Sequence, residues 1–231
     1  MCNVLLNVTA GKTAIPIFER LVLQYPRIED LAAASQEDVY AIISSLGLGN
    51  QRARRLITMA KIWVEDPPRA RRLHRTKDYP GHNDGRDLAL GTVLEDAAPR
   101  DGALEIGHIP GLGRYAFDSF RMFCADRLRG LAHGYNGEGT GVGFEAEWKR
   151  VNPSDKELRA WKKWAFLCEG IDWDPVTNGQ VPADRELLRF ATEGGLILED
   201  SAQRFTFKAR DKVTEEMIDS KTQLLIGESP V

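Results

Sequence analysis

The stretch Ile109-Pro110-Gly111-Leu112-Gly113-Arg114-Tyr115 sets a proline and two glycines directly ahead of an amphipathic segment, and its reading decides the fold. From about Tyr115 to Leu128, and on to Leu131, the residues Ala116, Phe120, Phe123, Cys124 and Leu131 recur at the three-to-four-residue spacing of one buried helix face. A turn feeding a helix start presents unpaired backbone N–H groups. Gly111 and Gly113 let those groups approach a ligand with no Cβ in the way, and the helix dipole adds partial positive charge, so the turn suits a phosphate. Ordinary turns use the same residues, so the weight of the motif rests on its surroundings.

Upstream, residues 38–63 read as helix, turn and helix, broken at Leu46-Gly47-Leu48-Gly49-Asn50 and resuming through Arg52, Arg54, Arg55, Leu56, Met59 and Ile62. Helices are predicted over 13–25, 28–34 and 36–46, with Pro26 and Gly47 as stops. Downstream, charge clusters at Val151-Asn152-Pro153-Ser154-Asp155-Lys156-Glu157-Leu158. A glycine turn with a leucine, then I-P-G-x-G-R-Y, then an Asp some forty residues on, resembles the helix-hairpin-helix DNA glycosylases of the endonuclease III superfamily. Within that superfamily the likeness is to the thymine/uracil glycosylase domain of methyl-CpG-binding-domain mismatch-repair proteins. It is carried by residues 6–16, Leu46-Gly47-Leu48, the hairpin, Ser119-Phe120-Arg121-Met122-Phe123-Cys124, and Trp148-Lys149-Arg150-Val151 through Leu158. The resemblance implies an all-α bundle of that type, with two loop insertions and a C-terminal extension.

The expected organisation is a glycosylase domain over 1–168 and an acidic, partly ordered extension over 169–231. Residues 66–105, with Pro67-Pro68, Pro80-Gly81 and Pro99-Arg100-Asp101-Gly102, show little periodicity and are expected to be a partly disordered insertion. The glycine-rich 130–145 is a second. Its Gly137-Glu138-Gly139-Thr140-Gly141-Val142-Gly143 has no strand before it and no helix with Lys-Ser/Thr after it, so it reads as a flexible loop rather than a phosphate cradle. In the extension, 184–191 reads as a short helix and Leu196 to Glu199 with Arg204 to Lys208 as a hairpin.

The 231 residues carry a formal charge of −3, which divides unevenly. Residues 169–231 hold 13 acidic and 7 basic side chains, leaving 24 basic against 21 acidic in 1–168. The basic groups concentrate further, in 52–77 and in 149–163. Each cluster is either a solvated helix face or a surface that neutralises phosphates. No apolar run reaches the ~20 residues of a membrane span and no secretory leader opens the chain, so an intracellular protein without a membrane partner is expected. Cys2, Cys124 and Cys168 are too few for a disulfide framework or a four-thiolate iron–sulfur cluster, and Cys124 is expected in the core.

Cleaving an N-glycosidic bond needs a carboxylate near the anomeric carbon, to stabilise developing positive charge or to activate water. By the resemblance that carboxylate is Asp155. By local sequence alone, Ser154-Asp155-Lys156-Glu157 is an S-x-x-E capping box in which Asp155 at the first helical position only complements the dipole. One helix start can do both. Asp118 is a rival, one turn into its helix, where a structural hydrogen bond is expected. In bifunctional relatives the residue two past the second hairpin glycine is a Lys that attacks the sugar. Here it is Tyr115, which implies a monofunctional enzyme; Tyr115 itself either lines the base pocket or packs on the core. Reaching the bond requires extruding the nucleotide, and Leu48 stands where the family has its wedge leucine. Its alternative is an ordinary helix-terminal apolar contact.

Two departures matter. Val8 replaces a family Arg that fills the vacated space, and the chain starts only about six residues earlier, so the resemblance implies that most of the first helix is missing and that core around Leu5, Ile15 and Phe18 is uncovered unless the tail covers it. The expected function is a monofunctional DNA glycosylase of base excision repair acting on mismatched thymine or uracil. Gly111, Leu112, Gly113 and Arg114 would hold the DNA, Leu48 would fill the gap, and Tyr115 and Asp155 would serve the base and the sugar. No metal or organic cofactor is implied. The partner is double-stranded DNA with a mismatched or damaged base, and a nuclear monomer is expected. The alternatives are a helix-hairpin-helix DNA-binding module that has lost catalysis and a helical interaction protein with no DNA role.

Overall fold

Caps and stops set the first helices. The computed structural model describes residues 2–6, 9, 11–200 and 202–209. Helix α1 (Cys2–Leu6) precedes α2 (Gly11–Gln24), which ends before Pro26, and α3 (Ile28–Ala33) follows. Helix α4 (Gln36–Ile43) starts where the Ser35 hydroxyl accepts from the Asp38 amide at 3.1 Å, with Glu37 and Asp38 in its first turn complementing the dipole. A 3-10 turn (Ser44–Leu46) then leads through Gly47 to α5 (Gly49–Glu65), against which α1, α3 and α4 pack.

These elements belong to the first of two units, which ends at Trp148 while the second begins at Lys149. Its core joins Leu21, Leu31, Val39, Ile43 and Leu56 to Ile106, Ile109, Phe117 and Phe120, so the segment around the hairpin is anchored in the same apolar cluster. Leu5 is fully buried there, contrary to the expected uncovered surface, whereas Ile15 is exposed. The place of Val8 lies outside the described residues. Arg52 is interior too, donating to the Leu5 carbonyl at 3.0 Å and the Thr9 hydroxyl at 2.9 Å.

The fold is mainly helical but not all-α. Residues 66–105, expected to be partly disordered, hold strands β1 (Leu73–Arg75), β2 (Val93–Leu94) and β3 (Ala103–Leu104), in an antiparallel sheet of order β2-β1-β3. His74 pairs with Val93 on one side and Leu104 on the other. Tyr79 is buried against Phe117, and its hydroxyl donates to Asp118 at 2.8 Å. Strands this short carry no period-two signal, so turn residues dominated the sequence.

Helix α6 (Arg114–Phe123) stops early: Cys124 leaves helical geometry and α7 (Ala125–Leu128) follows. The inward face is Ala116, Phe117, Phe120 and Met122, with Asp118 among them; Cys124 and Leu131 are exposed, correcting the expected core assignment. The first unit also holds an ionic network. Arg129 pairs with buried Glu105 at 2.7 Å, Arg121 with Glu147 at 2.7 Å, and the Glu147 amide donates to Asp126 at 2.7 Å.

The division between units falls within α8 (Glu147–Arg150). In the second unit, α9 (Lys156–Cys168) packs on β4 (Ile171–Trp173), α10 (Arg185–Thr192) and β6 (Leu196–Glu199). Strand β4 pairs with β5 (Gln180–Pro182), and β6 with β7 (Phe205–Lys208), both antiparallel. Asp184 caps α10 through the Leu187 amide at 2.8 Å, so the tail helix and hairpin stand where the sequence placed them.

Candidate nucleic-acid interface

The hairpin lies between β3 and α6. It is entered through hydrogen-bonded turns, Gly107 to Leu104 and Ile109 to Ile106 at 3.1 Å each, rather than through a preceding helix. Ile109 is buried and Leu112 packs against the core, while Pro110, Gly111, Gly113 and Arg114 face outward. Gly111 holds φ +77°, and a Cβ there would stand 3.0 Å from the Arg55 side chain. That left-handed backbone and that close approach are what the glycine supplies. Gly113 is the residue before α6 and supplies no side-chain cap, which leaves the start of that helix suited to an anion.

Arg55 thus brings a guanidinium to the hairpin from α5. Among the described residues, Arg54, Arg55, Lys61, Arg69 and Lys77 are exposed and enter no ion pair, whereas Arg72 is held by Asp66 and Glu95, and Arg75 donates to the Gly85 carbonyl at 2.7 Å. Lys77, Asp78 and Tyr79 join the hairpin in lining an open cleft of ≈ 340 Å³. Arg114 lies at that cleft, yet its guanidinium donates to the Pro80 carbonyl at 2.5 Å and sits 5.4 Å from the Tyr79 ring centre. Its first task is to bind the 66–105 segment to the hairpin, a contact no local sequence signal announced. Tyr115 is half-buried in the first turn of α6, with its carbonyl accepting from the Ser119 hydroxyl at 2.7 Å. Asp118 makes the structural hydrogen bond expected of it, to Tyr79; burial, and then the charge of Asp118, push that phenol above its usual value.

Leu48 is the most telling local geometry. Gly47 adopts φ 68°, ψ 158°, a region essentially restricted to glycine, and Leu48 follows at φ 50°, ψ 26° with 66% of its surface exposed. A leucine in the left-handed region costs about 1–2 kcal/mol, and here no burial repays it. The turn projects an apolar side chain into solvent, which disfavours the alternative of a helix-terminal packing contact.

In the second unit the local geometry around Asp155 differs from the expectation by one residue. Asp155 rather than Ser154 is the N-cap of α9: its backbone is extended, and Oδ1 accepts from the amides of Glu157 at 2.9 Å and Leu158 at 3.1 Å. The carboxylate is half-exposed and, among the described residues, Oδ2 takes no hydrogen bond. One oxygen is fixed and the other is open to a reactant. The basic cluster over 149–163 resolves against a phosphate surface. Lys162 is buried and donates to the carbonyls of Lys149 at 3.1 Å and Val151 at 2.5 Å; Lys163 binds Asp172 and the Trp173 carbonyl; Arg159 pairs with Glu199, and Lys149 with Glu169. Lys156 remains exposed beside Asp155.

One group of metal-ligand type escaped the sequence reading because its members are far apart in the chain. Asp66, at the end of α5, His74 on β1 and His108 before the hairpin each place a potential ligand atom within 4.8 Å of the others. Burial, then the neighbouring His108 and Arg72, push His74 down to about 4. Burial tends to raise Asp66, but the hydrogen bond and charge of Arg72 outweigh it and hold the carboxyl below its usual range.

Comparison with known proteins fits this geometry. Residues 2–214 match the family described as HhH-GPD superfamily base excision DNA repair protein. The chain belongs to that superfamily. Its members are DNA glycosylases, and the family binds DNA. A thymine-DNA glycosylase of Aeropyrum pernix is 35% identical over 57 residues, 25% of this chain and 26% of that protein. The matched stretch therefore spans about a quarter of that relative's length.

Proposed function

We propose that this HhH-GPD protein is a monofunctional DNA glycosylase that hydrolyses the N-glycosidic bond of mismatched thymine or uracil in double-stranded DNA, acting as a monomer in the nucleus. The observation that carries the reading is the pairing, within one unit, of an outward hairpin flanked by Arg55 with a strained turn that holds Leu48 in solvent. The first suits a backbone phosphate. The second suits the gap left by an extruded nucleotide. Asp155 supplies the carboxylate for the sugar: its capped oxygen fixes the orientation, and Oδ2 is left to stabilise charge at the anomeric carbon or to orient water. Tyr115, standing where an amine would be needed for strand cleavage, lines the base pocket and leaves an abasic product. The thymine or uracil preference rests on the resemblance and on the partial match to the Aeropyrum pernix enzyme.

The test is single-turnover incubation of the protein with duplexes containing G·T, G·U or no mismatch. Free base should appear from the mismatched duplexes, strands should break only after alkali, and borohydride should trap no covalent complex. Asp155→Asn should abolish base release and retain DNA binding. Binding without base release from any mismatch would establish the module reading instead, and absence of both would remove the DNA role.

A further inference from the structure

The cluster of Asp66, His74 and His108 has no part in the proposed hydrolysis, and its chemistry is specific. The two imidazoles face each other with ring centres 3.9 Å apart and planes 32° from parallel. His108 Nε2 lies 2.8 Å from the Asp66 main-chain carbonyl, which can only accept, so Nε2 carries the proton and Nδ1 keeps its lone pair. Nδ1 is buried and has no hydrogen-bond partner. A buried ring nitrogen with a free lone pair calls for a partner, and an N–H donated to a carbonyl is the arrangement that orients a metal-binding histidine. Arg72 occupies Oδ1 of Asp66, leaving Oδ2 for a further ligand, and Arg72 has Glu95 as a second anchor.

We propose that Asp66, His74 and His108 form a site for one divalent transition-metal cation, best matched by zinc, that fastens the end of α5 and strand β1 to the approach to the hairpin. Two neutral imidazoles and a carboxylate are a borderline nitrogen–oxygen set of the kind zinc takes with water in the fourth position. Ligand atoms around tetrahedral zinc lie about 3.3 Å apart, as bond lengths of about 2.0–2.1 Å require. Binding would draw the ligand atoms, which now lie within 4.8 Å of one another, to that separation. The ion would fix His108, two residues before Pro110, and so hold the hairpin in register; it supplies no step of the hydrolysis, and the proposal stands apart from the glycosylase reading.

The test uses the whole protein, stripped with chelator and titrated with zinc by calorimetry and with cobalt by visible absorption. One equivalent should bind. X-ray absorption of the zinc form should show nitrogen and oxygen neighbours at about 2.0–2.1 Å, with imidazole scattering and no sulfur. His108→Ala and Asp66→Asn should weaken binding by more than the ~10–100-fold typical of losing an outer-shell partner, while His82→Ala, His133→Ala and Cys124→Ser retain it. The wild-type spectrum decides the matter even where a ligand variant fails to fold. No binding by folded wild-type protein, a shell containing sulfur or only oxygen, or affinity unchanged in both ligand variants would overturn the proposal.

Discussion

Replacing Leu48 by glycine separates the cost of the turn from its use. Leu48 is 66% exposed, so truncation forfeits about one third of the ~2 kcal/mol that full burial of a leucine is worth. Its backbone, at φ 50° and ψ 26°, costs a leucine about 1–2 kcal/mol that glycine avoids. Glycine in turn loses about 0.5–1 kcal/mol more chain entropy on folding. These effects nearly cancel. Leu48→Gly should therefore leave stability within about 0.5 kcal/mol of wild type, a shift of no more than ~2 °C in Tm for a chain of this size. Activity should behave differently. Extrusion costs a few kcal/mol, and an inserted side chain that offsets about 1.4–2.8 kcal/mol of it makes a difference of roughly 10–100-fold in rate. The assay is single-turnover release of uracil from a G·U duplex and from the same strand unpaired, beside thermal unfolding. The duplex rate should fall and the single-strand rate should hold, because the latter needs no extrusion. Equal losses on both substrates, or a fall in stability beyond ~1.5 kcal/mol, would show that Leu48 is a structural contact and refute the reasoning.

Other perturbations test separate parts. Arg55→Ala should leave Tm unchanged and reduce the slope of log affinity against log salt by about 0.9, measured by fluorescence anisotropy at several ionic strengths. Gly111→Ala places a Cβ 3.0 Å from Arg55 on a backbone of φ +77°, so it should cost about 1–2 kcal/mol in denaturant unfolding and weaken DNA binding as well. Asp155→Asn should keep the α9 cap and change stability by less than about 0.5 kcal/mol, whereas Asp155→Ala should lose about 1 kcal/mol in the same unfolding experiment. Arg129→Met leaves Glu105, 1% exposed, without its guanidinium, and should destabilise by about 3–5 kcal/mol.

The sequence was most legible where one periodicity met a clear stop. Helices α2 to α5 follow their apolar spacing, with Pro26 and Gly47 marking stops, and the hairpin stands out because Pro110, Gly111 and Gly113 interrupt such a pattern. The buried lysine was readable but overruled. Leu158, Lys162 and Phe166 recur at four-residue intervals on the inward face of α9, yet charge made Lys162 look solvated; backbone carbonyls of Lys149 and Val151, not phosphates, receive its ammonium. Arg52 is a parallel case, one turn before Leu56 on α5. Contacts between distant segments left no local trace. Nothing near Arg114 points to Pro80, nothing near Asp118 to Tyr79, and Asp66, His74 and His108 share no spacing. At Asp155 the residue types announced a helix start, but which of Ser154 and Asp155 caps it depended on backbone angles set by the residues before them.

The decisive measurement is a crystal structure of the Asp155→Asn variant bound to a duplex carrying G·U. The account predicts an extruded uridine with its anomeric carbon about 3–3.5 Å from the residue 155 side chain, a backbone phosphate on the amides of Gly111 and Gly113, and Leu48 between bases at the vacated site. A flipped nucleotide whose sugar lies far from residue 155, or a duplex that bypasses the hairpin, would contradict it.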